Sequence, residues 1–307
     1  MSRWRRSGRE LEVAELDPSA ELPEQPRLAV AKSFKLFIGG AFVRSESGRS
    51  VPVELRDGER RWAPAASRKD VRDAVLAARG AWSGWAARSA FNRGQILYRI
   101  AEVAEDRRPA LVAELAEQGV AEPEREVEVA IERFVHYAGW SDKLAQVSGS
   151  VNPVAGDYFD FTMPEPTGVV AILAPPASPL AGLASRLGPA LAAGNATVAV
   201  ASPRAPLSAL TLGEVMATAD VPAGVVNLLS GRAEELLAPL AGHMDVNAID
   251  LCDLSGELLV EAERAAASNL KRVVRRSGVD WLGPEAQGLE ELLGFVEMKT
   301  VWHSMGY

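Results

Sequence analysis

Residues 171–206 read AILAPPASPLAGLASRLGPALAAGNATVAVASPRAP. An apolar run, a proline-rich turn, an Ala/Leu/Gly segment of helical spacing and a second apolar run follow one another, which is the entrance to a nucleotide-binding type of α/β layer. Neither turn carries a side chain polar enough to catalyse or to hold a nucleotide. The stretch offers a scaffold without its chemistry.

The same alternation continues outward. GVVAILA (168–174), ATVAVA (196–201), GVVNLLS (224–230), NAIDLC (247–252) and LKRVVRR (270–276) are β-type runs. Helical segments at 179–193, 206–219, 232–242 and 255–268 separate them. Five strands joined through helices imply right-handed crossovers and a parallel sheet covered on both faces. The fold class is therefore α/β, with a doubly wound, mostly parallel, Rossmann-like sheet at residues 168–276.

Upstream, KLFIGGAFV (35–43) sets two short β-type runs around Gly39-Gly40, a two-residue hairpin signal. From Arg68, Val71, Ala74, Val75, Ala78, Ala81, Trp82 and Trp85 recur at helical steps. FNRGQILYRIAEVAEDRRPALVAELAEQ and EREVEVAIERFVHYAGWSDKLAQV add further amphipathic helices, so residues 33–149 form a hairpin-and-helix unit. SVNPVAGDYFDFTMPEPTG (150–168) then offers two extended pieces carrying Tyr158, Phe159 and Phe161. After Ser277 the periodicity lapses through 295, which reads as a linker with one or two helical turns in EELLGF, and VEMKTVW (296–302) reads as a strand within a closing 296–307 segment. Residues 1–32, with the basic Arg3-Trp4-Arg5-Arg6 beside an acidic, proline-bearing run, read as a poorly ordered tail or as a docking peptide.

Composition narrows the function classes. Asp and Glu number 41 against 33 Lys and Arg, a net charge of −8 that argues against nucleic-acid binding. The apolar runs are too short to span a bilayer, and residues 1–30 lack a signal-peptide core, so the expected location is cytoplasmic, away from membranes. The single cysteine, Cys252, excludes an internal disulfide framework, and His136, His243 and His303 have no ligand-type neighbours at metal spacing. No metal is expected. Cys252 reads as an inert strand-end thiol, His243 as a turn or cap residue, and Arg275-Arg276 as a solvated pair or one facing a partner's carboxylates.

LFIGGAFV, AWSGWAARSAFNRGQILYRIAE, YAGWSDKL, GDYFDFTMPEPTGVV, GPALAAGN, PAGVVNLLSG, GHMDV and SNLKRV stand in an order and spacing that resembles the aldehyde dehydrogenase superfamily over roughly residues 34–276. The resemblance resumes at EMKTVW. Between the two parts the family carries a complete catalytic domain, so the resemblance is to a truncated member lacking it. The resemblance implies NAD(P)-dependent aldehyde oxidation, which needs a thiolate nucleophile, an oxyanion donor, a carboxylate base and a dinucleotide. No cysteine follows Cys252.

Matched residue by residue, Ala177 stands where the family has its oxyanion asparagine, and Arg276 where it has its base. Val200 and Pro203 stand at the ribose-binding Lys and Glu, Ala233 at the second glycine of the Gly-x-Gly, and Asp253 in the turn that leads the pyrophosphate to a helix N-terminus. The expectation is no catalytic residue and no cofactor. What the family keeps for assembly is retained: an arm hairpin at 150–167 and a last strand, with Tyr158, Phe159, Phe161, Val301 and Trp302 as the expected interface of a small β oligomerisation arm. In the family that arm meets a neighbouring subunit's catalytic domain. The leading expectation is a non-catalytic subunit that pairs by its arm with a full-length aldehyde dehydrogenase, or else a homo-oligomer. Two alternatives stay open: an NAD(P)-dependent oxidoreductase completed by a partner, and a binding module for a nucleotide or acyl fragment.

Overall fold

A computed structural model describes residues 30–306. Contacts group residues 33–307 as one unit and 1–32 as another, of which only Val30–Lys32 are described, without helix or strand. The expectation for the amino-terminal tail, including Arg3–Arg6, lies outside the described residues.

Gly39 and Gly40 join β1 (Leu36–Ile38) to β2 (Ala41–Val43) as an antiparallel hairpin. Both have positive φ, 61° and 79°, as the favoured two-residue turn requires. A second hairpin, β3 (Ser50–Glu54) with β4 (Arg60–Pro64), was not legible in the sequence. Pro52, Pro64 and the charged Glu54, Arg60 and Arg61 interrupt the apolar alternation that would announce it. Ser67 then caps α1 (Arg68–Ala86) in a reciprocal box with Asp70, and the helix buries Val71, Ala74, Val75, Ala78 and Trp85.

Helix α2 (Ala90–Asp106) stops at Arg107, and α3 (Arg108–Glu117) starts with Pro109 in its first turn, where a missing N–H costs nothing. Helix α4 (Pro123–Trp140) and the short α5 (Leu144–Ser148) lead into β5 (Ser150–Asn152) and β6 (Tyr158–Pro166). The alternating layer follows: β7 (Val169–Leu173), α6 (Ala181–Ala192), β8 (Ala196–Val200), α7 (Pro206–Thr218), β9 (Val226–Leu229), α8 (Ala233–Ala241), β10 (Ala248–Asp250), α9 (Gly256–Ala266) and β11 (Arg272–Val274). The sheet order is β11-β10-β7-β8-β9-β1-β2, parallel from β11 to β9 and antiparallel at β1 and β2.

Alternate residues of each central strand enter opposite cores. Val170 and Ile172 of β7 pack with α2, α4, α6 and α7, whereas Val169, Ala171 and Leu173 pack with α1, α8 and α9. Both faces are therefore covered, which is why these strands read as unbroken apolar runs.

Residues 277–295, expected as a linker, are a packed segment. They hold a 3-10 turn at Pro284–Ala286 and α10 (Leu289–Leu293), and they bury Trp281, Leu292 and Phe295. The last strand, β12 (Val296–Ser304), runs two residues beyond its expected end. All nine of its residues pair antiparallel with β6, and β5 closes a separate three-stranded arm in the order β12-β6-β5.

Candidate functional site

The chain leaves β7 toward β8 on one side and returns to β10 on the other. Connections therefore diverge at the carboxyl end of β7, the switch point where open α/β sheets form their crevice. The turn after β7 exposes Pro176 and Ala177. Behind it, the first amides of α6 are already occupied: Leu180 and Ala181 donate to Glu126 Oε2 at 3.1 and 2.8 Å. A helix N-terminus draws anions, and here a carboxylate from α4 fills it. Burial pushes the Glu126 carboxyl up, against the hydrogen bonds that pull it down.

On the β8–β9 side the named positions carry no polar side chain, while Arg204 and Arg232 stand beside them. Val200 ends β8 and is buried, Pro203 is exposed, and Ala233 opens α8. Gly231 keeps a glycine-type φ of 148°, and a Cβ there would lie 3.2 Å from Leu236 and 3.3 Å from the Ala66 nitrogen. A cavity of about 370 Å³ lies among Val51, Pro52, Pro203, Arg204, Gly231 and Ala233.

On the β10–β11 side the surface is charged and closed. Beyond β10 and β11 the ladder continues, with the Leu251 amide donating to the Val274 carbonyl and the Asp253 amide to that of Arg276. Trp281 Nε1 donates to Asp253 Oδ2 at 2.8 Å, and the indole packs on Cys252 and Ala286. Arg186 of α6, fully buried, pairs through Nε with Asp250 Oδ2 at 2.6 Å and through Nη1 with Glu291 of α10. The other oxygen of Glu291 accepts from Arg276 at 3.0 Å. Burial alone would lower the Arg186 pKa, and Asp250, Cys252 and Glu291 reverse that and raise it.

Of the Arg275-Arg276 pair, Arg275 is solvent-exposed as expected, whereas Arg276 is half-buried and held within the chain. Arg275 pairs with Glu263 at 2.8 Å and Arg276 with Glu291. Carboxylates distant in sequence supply the partners, so spacing could not reveal them. Cys252 is buried and donates to Asp250 Oδ1; burial first, then Asp250, pushes its thiol far up, the opposite of a nucleophile. His243 Nδ1 accepts from the Asp245 amide, and its carbonyl accepts from the buried Lys271, whose pKa burial lowers to about 8. Among the described residues no cluster of His, Cys, Asp and Glu could hold a metal ion.

Sequence reasoning missed Arg133, Arg186 and Glu126. One signal was available for Arg186, a lone arginine in the otherwise apolar helix AGLASRLGPALA. A buried arginine demands carboxylates or carbonyls. Arg133 of α4 finds the Gly283 carbonyl at 2.5 Å, Gln287 Oε1 at 2.6 Å and Ser185 Oγ at 3.1 Å.

The arm places the five expected interface residues on two faces. Tyr158 and Trp302 share one face and meet edge to face, ring centroids 5.8 Å apart. Phe159, Phe161 and Val301 lie on the other, with Val151 and Met163. Tyr158, Phe159 and Trp302 are exposed; Phe161 and Val301 are half-buried. A polar ladder crosses the strands from Asn152 to Thr162 (2.9 Å) and from Thr162 to Thr300 (2.9 Å).

Among the described residues no helix is long and apolar enough to cross a membrane. Residues 43–279 match the model of the aldehyde dehydrogenase family. The chain is 36% identical over 265 residues to retinal dehydrogenase 2 of Homo sapiens, covering 82% of this chain and 50% of that protein. It is 34% identical over 255 residues to the cytosolic aldehyde dehydrogenase 1 of Elephantulus edwardii, covering 80% and 50%. Among solved structures, PnpE from Pseudomonas sp. WBC-3 superposes with a TM-score of 0.76 at 32% identity, covering 80% of this chain and 51% of that one. PnpE has also been solved in complex with nicotinamide adenine dinucleotide. The chain spans about half the length of the curated relatives it matches. On the family match and the shared α/β sheet, it belongs to the aldehyde dehydrogenase family.

Proposed function

We propose that this chain is a non-catalytic aldehyde dehydrogenase-like subunit that associates through its β arm with a full-length aldehyde dehydrogenase. The observation that carries the reading is a contrast within one chain. The arm is built in full, β12 pairing with all of β6 and aromatic side chains standing exposed on both faces. A long strand edge and exposed aromatics of this kind ordinarily require a cover.

The crevice supports the same reading by what its residues do. A dinucleotide does not fit them. Val200 and Pro203 offer the ribose no hydrogen bond, and Asp253 brings a carboxylate where a pyrophosphate would lie. Arg276, permanently charged and paired with Glu291, is no base, and Ala177 has no oxyanion donor in its side chain. The oxidoreductase alternative rests on relatives such as PnpE, solved with nicotinamide adenine dinucleotide. A cytoplasmic location accords with the relative named cytosolic.

Sedimentation of the purified full chain mixed with a purified full-length aldehyde dehydrogenase from the same source tests the proposal. A new species heavier than either component is expected. Two unshifted components at micromolar concentrations of both would reject it, and heat released on titrating millimolar NAD into the chain alone would favour the oxidoreductase reading.

A further inference from the structure

Two substitutions in the crevice do more than remove chemistry. Asp253 receives the indole N–H of Trp281 at 2.8 Å, and Arg276 holds Glu291 at 3.0 Å. Both partners belong to residues 277–295, and both substituted residues lie just past the carboxyl ends of β10 and β11. The rest of the segment is seated from the opposite wall. Arg133 takes the Gly283 carbonyl and the Gln287 side chain, Tyr137 Oη accepts the Gly288 amide at 3.3 Å, and Arg186 joins Glu291 to Asp250. Its far end is clamped as well: the Phe295 carbonyl accepts from the Thr167 amide at 3.2 Å and from Asn195 Nδ2 at 2.9 Å.

We propose that residues 277–295 are an internal plug that closes the β10–β11 side of the crevice, using Asp253 and Arg276 as its docking groups. The physical case is that the charged side chains there pair with one another within the chain, although Arg186 Nη2 and Arg276 Nε are buried without a hydrogen-bond partner. Charges buried together are stable only when mutually paired, and three buried ones, Arg186, Asp250 and Glu291, close on one another, with the half-buried Arg276 joined to Glu291. A dinucleotide arriving at this side would have to displace Trp281, which is 3% exposed, and break that set. The β8–β9 side, with its cavity near Arg204, has no such cover. The plug is independent of whether the arm finds a partner.

Hydrogen exchange read by mass spectrometry on the full chain tests this. In the wild type, amides of 281–288 and of 251–255 should exchange at least about 100-fold slower than unstructured peptide. Trp281→Ala should speed both segments together and leave Val198–Val200 unchanged. Trp281→Phe, which keeps an aromatic ring and loses the N–H, should give a smaller acceleration in the same two segments and guards against a variant that does not fold. Millimolar NAD should leave 251–255 unchanged in the wild type. Fast exchange of 281–288 in the wild type would overturn the proposal. So would a Trp281→Phe effect confined to one segment, or protection of 251–255 by NAD.

Discussion

The arm and the crevice come from the same chain and have been treated differently. In the arm, a regular ladder, a row of threonine hydroxyls and exposed aromatics survive together. In the crevice, residues at the strand and helix ends pair with one another: Asp253 with Trp281, and Arg186 and Arg276 with Glu291. In the arm, strand pairing leaves aromatic side chains exposed, whereas in the crevice charged side chains turn inward to pair with one another.

The largest expected effect lies in the crevice. Arg186→Ala strands Asp250 without a cation in a dry interior and leaves Glu291 with Arg276 alone, and breaking a buried pair from one side typically costs about 3–5 kcal/mol. A urea midpoint unchanged from the wild type would show that the charge set does not hold the segment. The arm should behave oppositely. Phe159→Ala with Trp302→Ala should change stability by no more than about 0.5 kcal/mol each, as for exposed sites. Affinity for the full-length partner should fall by about tenfold or more, since exposed aromatics anchor interfaces. Equal affinity of that variant in a binding titration would erase the contrast.

Two pH effects sharpen the picture away from both regions. Lys271 has a folded pKa of about 8 against an ordinary 10.5, so between these values the unfolded chain binds more protons. Stability should therefore rise with pH across that window, by on the order of 1–3 kcal/mol, and Lys271→Met should flatten the rise in urea titrations. Glu126 has the opposite sense. Its folded pKa is raised above an ordinary 4.5, so its contribution is present below that value and lost as pH climbs through the raised one. Glu126→Gln should remove that loss, measured as the difference in urea midpoint between acid and neutral solutions.

Much of the fold was legible because its signals are local. The Gly39-Gly40 turn, the helical spacing from Val71 to Trp85 and the five apolar runs each announce an element within a few residues. The β3–β4 hairpin was hidden by its prolines and charges. The candidate site was legible only as positions: Ala177, Val200, Pro203, Ala233, Asp253 and Arg276 can be read off the chain, but the partners of Asp253 and Arg276 cannot. Asp253 meets Trp281 across 28 residues, and Arg186 meets Glu291 across 105. Tertiary pairing at such separations leaves no periodicity, and the segment 277–295, short of apolar rhythm, owes its order to those pairs.

Native mass spectrometry of the chain co-expressed with a full-length aldehyde dehydrogenase from the same source tests the central claim most directly. A mixed oligomer containing both polypeptides, lost when Phe159 and Trp302 are both replaced by alanine, is the predicted result. Homo-oligomers alone, or a mixed species indifferent to those two substitutions, would contradict it.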